Sequence, residues 1–315
     1  IGEHRPDGST FFTFADTVAA QGFRKRQECH GWIGVRFQSA ANQVPDEIIL
    51  HVRMLDDTNL EQQDALGILG VNLIHGAYYH ADTPEKLLAG LTDNLKWGRV
   101  EIDLVEFSGP TMGKFDNRLM ALELVKASLT PATLFAPDGG VVIPAEALYK
   151  RSVLGMRSAF RPVAGEGLLR FAHARELFAE KCAAGKPPIQ IAEMTMAAIL
   201  NEDGIDTADF LERVNALTDL GFHVLISEFF RYFRLGVNGF SQIMRESFYD
   251  GLEGGILEGL GRLFPPGTTA YIYPEHEDDR TVTLDDMPVE DHLKPLIAYL
   301  RERGQVVGVD SFPRP

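Results

Sequence analysis

Apolar residues recur along this chain in two rhythms, one of strands and one of helices. Phe11–Phe14, Gly34–Phe37 and Glu47–Leu55 are rich in aromatic and β-branched residues and read as strands, the third most strongly. Asp56–Asn59 supplies a cap, and Leu66, Leu69 and Leu73 then recur at helical spacing, so a helix runs from Leu60 toward His75. A second helix begins with Thr83 as N-cap and Pro84 in its first turn. Val100–Phe107 alternates like a half-buried strand, breaks at Ser108-Gly109-Pro110 and passes into a helix from about Asn117 to Leu129.

The same alternation continues to the end of the chain. Strands are predicted at Ala132–Phe135, Val153–Met156, Ile189–Met194, His223–Ile226, Ala270–Tyr273 and Val306–Val309, and helices at Leu168–Cys182, Thr207–Leu220, Ser241–Leu263 and His292–Arg303. Glycines at 251, 254, 255, 259 and 261 weigh against Ser241–Leu263 as one continuous helix. Strand–helix alternation on this scale predicts an α/β fold: a mainly parallel, Rossmann-like sheet with helices on both faces. The Pro162–Gly167 turn divides it into two α/β halves, 1–163 and 164–315, unless the whole forms one domain.

Composition narrows the function classes. A hydrophobic fraction of 45% with 24% charged residues belongs to a globular chain that buries a sizeable core. Forty-five acids against thirty bases give a formal charge of -15, which argues against nucleic acid as a partner, since phosphate binding needs clustered Lys and Arg and only Arg24–Arg26 is locally basic. The two cysteines, Cys29 and Cys182, have neither disulfide-framework nor zinc spacing. No membrane partner is expected, because the most apolar stretch, Ile68–Tyr79, is interrupted by Gly70, Asn72 and His75. With no signal-like segment after Ile1, a cytoplasmic location is expected.

Ligands of parallel α/β folds gather at the carboxyl ends of strands. That rule selects Asp56, Asp57, Glu106, Glu193, Glu228 and Asp310, carboxylates that could hold a divalent cation, Mg²⁺ first, or act as acid and base. The segment Ser108–Arg118 is the most informative, because a glycine-bearing strand-to-helix loop presents backbone N–H groups to an anion. Ser108, Gly109, Gly113, Lys114, Asn117 and Arg118 are its candidate binding residues, with Glu106, Asp116, Glu193 and Glu228 as candidate catalytic groups. It is not a Walker A loop: Gly109 to Gly113 is one residue short, and Phe115 follows the lysine. Arg231, in the aromatic and basic run Ser227–Arg234, could clamp an anionic or planar ligand. Cys29-His30 and His75…His80 offer soft or imidazole metal ligands without an established zinc pattern, and adjacent residues of a strand face opposite ways, which counts against a Cys29–His30 dyad.

Glu28–Trp32, His51–Asp56, Gln62–Ile74 and Asp116–Met120 resemble stretches of a bacterial and cyanobacterial family whose members carry the labels "TonB-dependent receptor" or "nicotinate-nucleotide adenylyltransferase". The resemblance covers about the first half of the chain. The first label implies many alternating amphipathic strands, which this strand–helix pattern does not supply. The second implies a nucleotidyltransferase-like loop. Arg157–Val163 looks like the Gly-x-Phe-x-Pro start of that loop, but Ser158 replaces the glycine, and Ala164–Gly167 stands where the transferring enzymes carry H-x-G-H.

Together these readings predict an α/β protein that binds a phosphorylated or carboxylated small molecule, nucleotides first, near Gly109–Arg118. The alternative is a non-catalytic scaffold or regulatory subunit whose apolar helices assemble into a homo-oligomer.

Overall fold

A computed structural model describes residues 8–19, 29–179, 182, 188–201, 204–228, 237–277 and 280–309. The chain divides into two units, Ile1–Arg151 with Ile189–Phe230, and Ser152–Pro188 with Arg231–Pro315. The expected boundary at 163/164 falls inside the first segment of the second unit.

In chain order the first unit opens with β1 (Phe12–Val18), β2 (Cys29–Phe37), β3 (Asp46–Met54), α1 (Asn59–Tyr79), α2 (Pro84–Gly90), β4 (Val100–Ser108), α3 (Asn117–Lys126), β5 (Ala132–Phe135), β6 (Val141–Val142) and α4 (Pro144–Ala147). The second unit contributes β7 (Val153–Arg157) and α5 (Glu166–Ala179). The chain then returns to the first unit with β8 (Ile189–Thr195), α6 (Met196–Ile199), β9 (Leu200–Asn201), β10 (Gly204–Ile205), α7 (Thr207–Asp219) and β11 (His223–Ser227). The second unit closes with α8 (Val237–Ile243), α9 (Gly255–Leu263), β12 (Ala270–Ile272), β13 (Glu275–Glu277), β14 (Arg280–Val282), α10 (Lys294–Glu302) and β15 (Val306–Gly308).

The mainly parallel, Rossmann-like sheet expected from the alternation does not form. β1-β2-β3-β4 is a wholly antiparallel sheet, and β6-β5-β11-β8 is mixed, with β11 parallel to β8 but antiparallel to β5. The physical reason lies in the connections. A parallel neighbour needs a crossover, usually helical, whereas among the described residues no helix separates β1, β2 and β3, which pair as a meander.

Helices cover one face of the antiparallel sheet. Ile33 and Val35 of β2, Ile48, Leu50 and Val52 of β3, and Ile102, Val105 and Phe107 of β4 pack into a single core with Ala65, Leu69, Leu73 and Ala77 of α1, Leu87 and Leu88 of α2, and Met120 and Leu124 of α3. Leu50, Leu69 and Leu73 are completely buried, and each such side chain contributes roughly 1.5–3 kcal/mol by leaving water. Thr58 caps α1, accepting from Glu61 N, and Asp206 caps α7 through Ala208 N and Asp209 N.

In the second unit β12 and β15 pair in parallel, and Phe240, Leu260, Ile272, Ile297 and Leu300 share a core. The predicted Ser241–Leu263 helix is broken in three: α8 ends at Ile243, a 3-10 turn spans Glu246–Tyr249, and α9 starts at Gly255. Gly255 has φ 55°, a left-handed value that favours glycine and interrupts the helical path. Among the described residues no helix is long and apolar enough to cross a membrane.

Candidate functional site

The strand register that points Ile48, Leu50 and Val52 at the helices points the alternate residues the other way. On that second face, Trp32 of β2 lies beside His51 of β3 and His51 beside Leu104 of β4, while the next row holds Ala15, Gly34, Ile49 and Glu106. His30 stands opposite Arg53, and Arg53 opposite Glu101.

One irregularity turns this face into a site. The β3–β4 ladder pairs His51 with Leu104 and Val52 with Ile102, so Asp103 is an extra residue with no Cα partner, a β-bulge. Bulges re-aim a side chain out of the regular alternation. Here the Asp103 carboxylate comes to 2.6 Å from His51 Nδ1. His51 Nε2 lies in turn 3.0 Å from His30 Nδ1. Asp103 is 4% exposed and His51 2%, whereas the His30 ring is half-buried.

The chemistry of the three groups fixes the direction of the chain. An ionised carboxylate only accepts, so Nδ1–H of His51 donates to Asp103. His51 Nε2 then accepts from Nδ1–H of His30, and the lone pair of the relay ends on His30 Nε2. No partner of that nitrogen is found among the described residues.

Neighbouring groups hold the relay in place. The Trp32 ring meets His51 edge-on at 5.0 Å between centroids, and the two imidazoles contact at 5.1 Å. Glu101 Oε2 accepts from Arg53 Nη1 at 2.7 Å, and its Oε1 from the Thr130 hydroxyl at 2.9 Å. These bonds tie the edge of β4 to the segment leading into β5.

The loop expected to bind an anion is built differently. Its free amides have a protein acceptor: Asp46 Oδ1, fully buried, takes Thr111 N at 2.7 Å and Met112 N at 2.9 Å. Gly109 has φ 100°, and a Cβ there would come within 2.6 Å of the Pro45 carbonyl oxygen, so the loop lies directly on the β3 entry. Gly113 N closes back on Gly109 O, and the Ser108 hydroxyl reaches Glu47 at 3.4 Å. Asn117 makes paired bonds to Phe107 N and O. Asp116 caps α3 and accepts from Arg118 Nε and Nη2, while Arg118 Nη1 donates to Asn215 at 2.6 Å. The Arg118 guanidinium holds the Asp116 carboxyl below its ordinary value against the opposing effect of burial, and the carboxylate raises Arg118 in return. Lys114 is exposed and lies over the Phe115 ring at 4.9 Å.

The remaining candidates are dispersed. Glu106 is exposed on β4. Glu193 of β8 accepts from the Ser227 hydroxyl at 2.7 Å, and Glu228 follows β11 with its N–H bonded to Pro131 O, so both belong to the mixed sheet. Arg231 lies outside the described residues. Ser158, in the nucleotidyltransferase-like segment, accepts from Phe160 N at 3.3 Å. The exposed His75 ring of α1 is tilted against Tyr79 and meets His80, just past the helix end, edge-on. Among the described residues, the three-ligand grouping within a metal's reach is the exposed set Glu246, Glu290 and His292.

His51 and Asp103 were not among the sequence candidates, although a signal for them exists. β4 reads apolar at Ile102 and Leu104 and then again at Val105 and Phe107, a slip of phase that marks the bulge. Comparison with known protein families, curated proteins and solved structures finds no match for this chain.

Proposed function

We propose that the chain is an enzyme of proton transfer, with His30 as the general base and acid and the His51–Asp103 pair as its support. The observation that carries this reading is the Asp103–His51–His30 chain, buried at its carboxylate end and ending on a half-buried imidazole. A carboxylate that fixes the tautomer of one ring, which then orients a second, keeps the terminal nitrogen set to take a proton. The surrounding face suits a small molecule with a flat apolar part and a polar part carrying one exchangeable proton. Trp32, with Ala15, Gly34 and Ile49 in the next row, offers apolar surface, and the Arg53–Glu101 pair in the row of His30 offers polar contacts.

The relay can be tested before a substrate is known. Diethyl pyrocarbonate acylates unprotonated imidazole nitrogen, so His30 should react faster than the exposed His292. Asp103→Asn and His51→Gln should each slow the His30 reaction by ~10-fold or more, and His30→Ala should lower turnover of any enolisable or ester substrate by ~10²–10⁴-fold, the usual span of a general base. Equal reactivity of His30 and His292, unchanged in both variants, removes the relay as a functional unit.

A further inference from the structure

α1 carries two apolar faces, and the sheet uses one of them. Ala65, Leu69, Leu73 and Ala77 are buried in the core. Leu60, Asp64, Gly67, Val71, Ile74 and Tyr78 run along the opposite side, alternately four and three residues apart, and all are exposed. A helix on a protein surface needs a single apolar stripe, and a heptad repeat is the spacing by which helices of separate chains dock. We infer that this outer stripe is the seam of a two-fold homodimer in which α1 packs antiparallel against α1 of a second copy.

Three features commit the face to a second copy. The spacing is self-complementary: about a two-fold axis level with Leu69, Gly67 lies opposite Val71 of the other copy and Leu60 opposite Tyr78, as an isologous contact requires. Gly67 offers the recess, since nothing stands within 4 Å of a Cβ placed there. Charge favours the same choice. From Ala65 to Ala81 there is no Asp, Glu, Lys or Arg, and Asp64, the acid within the seam, is bridged to Arg99 at 3.0 Å. Two chains of net charge -15 approach at least cost through such a face.

Area closes the case. Leu60 is 77% exposed, Val71 66%, Ile74 36% and Tyr78 71%. At ~200 Å² for a full tyrosine and ~100 Å² for an aliphatic side chain, the stripe offers about 320 Å² of apolar surface. A standard interface buries ~800 Å² per partner, about 65% apolar in homodimers, so the stripe supplies more than half of the apolar share.

The inference is independent of the relay and is tested on the whole chain by light scattering across a wide dilution series. The expected result is a concentration-dependent dimer whose dissociation constant rises at least ~100-fold in Val71→Glu, as a charge buried unpaired in a seam would require, with the melting temperature of the monomer retained. Should Val71→Glu fail to fold, Tyr78→Glu at an equally exposed position decides in its place. A mixture of Gly67→Cys and Val71→Cys chains should cross-link 67 to 71. A chain that stays monomeric at every concentration overturns the inference, as does a dimer indifferent to the glutamate variants or one cross-linking only 71 to 71.

Discussion

Asp46 and Asp103 are buried carboxylates on neighbouring strands of one sheet, 0% and 4% exposed, and they spend their acceptor capacity in opposite ways. Asp46 Oδ1 takes two amides of the Thr111–Met112 turn, and its Oδ2 takes the Ser39 hydroxyl at 3.2 Å. Two of those bonds lock the Thr111–Met112 turn, and the third the β2–β3 connection, to the start of β3. Asp103 Oδ1 meets His51, which passes the interaction outward to His30. A carboxylate that collects donors builds structure; one that is linked through titratable rings to the surface can move a proton. The difference teaches that a glycine-bearing strand-to-helix loop is not by itself an open anion site, because the protein can supply the anion.

The comparison is sharpest in paired variants. Asp46→Ala leaves the Thr111 and Met112 amides without their acceptor, at ~1–3 kcal/mol for each buried donor, so a total near ~3 kcal/mol is expected from urea unfolding. Asp103→Asn preserves shape and should cost about 1 kcal/mol while slowing acylation of His30. Equal stability losses in the two variants would erase the distinction. Within the loop, Arg118→Ala breaks the bonds to Asp116 and Asn215 and should cost ~0.5–1 kcal/mol, whereas Lys114→Ala should stay within ~0.5 kcal/mol, as for exposed charges generally. A larger loss at Lys114 would show that its contacts extend beyond the Phe115 ring.

The smallest effect expected is one of pH, at a half-buried polar group with neither role. Among the described residues His223 Nδ1 has no hydrogen-bond partner, and burial, reinforced by the Arg151 charge and opposed by Asp138, lowers the ring below its ordinary 6.5. The folded state then binds the proton less readily than the unfolded chain. Stability is therefore present above about 6.5 and is lost as pH falls through the lower folded value. The melting temperature of the protein should fall relative to that of His223→Gln as pH drops through that window, because the variant has no ring to charge. A difference constant with pH would assign the destabilisation of His223 to packing alone.

Much of the local structure was legible along the chain. The strands at Glu47–Leu55, Val100–Phe107 and Ile189–Met194 and the helices at Asn117 and Thr207 correspond to β3, β4, β8, α3 and α7. Strand direction was not read, because alternation over the whole chain hid a local fact: among the described residues three strands precede the first helix, and a meander is antiparallel. The site was harder still. His51 and Asp103 are 52 residues apart in sequence, and their meeting depends on which strand pairs with which and in what register, information that no window of sequence contains. The break of phase at Leu104-Val105 was visible, but its meaning required knowing that β3 lies opposite. Asp116 shows the converse limit: its cap was local, and so was its ion pair with Arg118, two residues on.

The bulge at β4 bears on how such a site could be acquired or lost. On either side of Asp103 the ladder is regular, with Ile102 opposite Val52 and Leu104 opposite His51. Excising that single codon would therefore leave every remaining cross-strand pair in step and the helix-covered core undisturbed, while stripping the two histidines of their acid. Scaffold and chemistry are thus separable by one residue, and a lineage could gain or shed the relay in a single in-frame event without first having to refold.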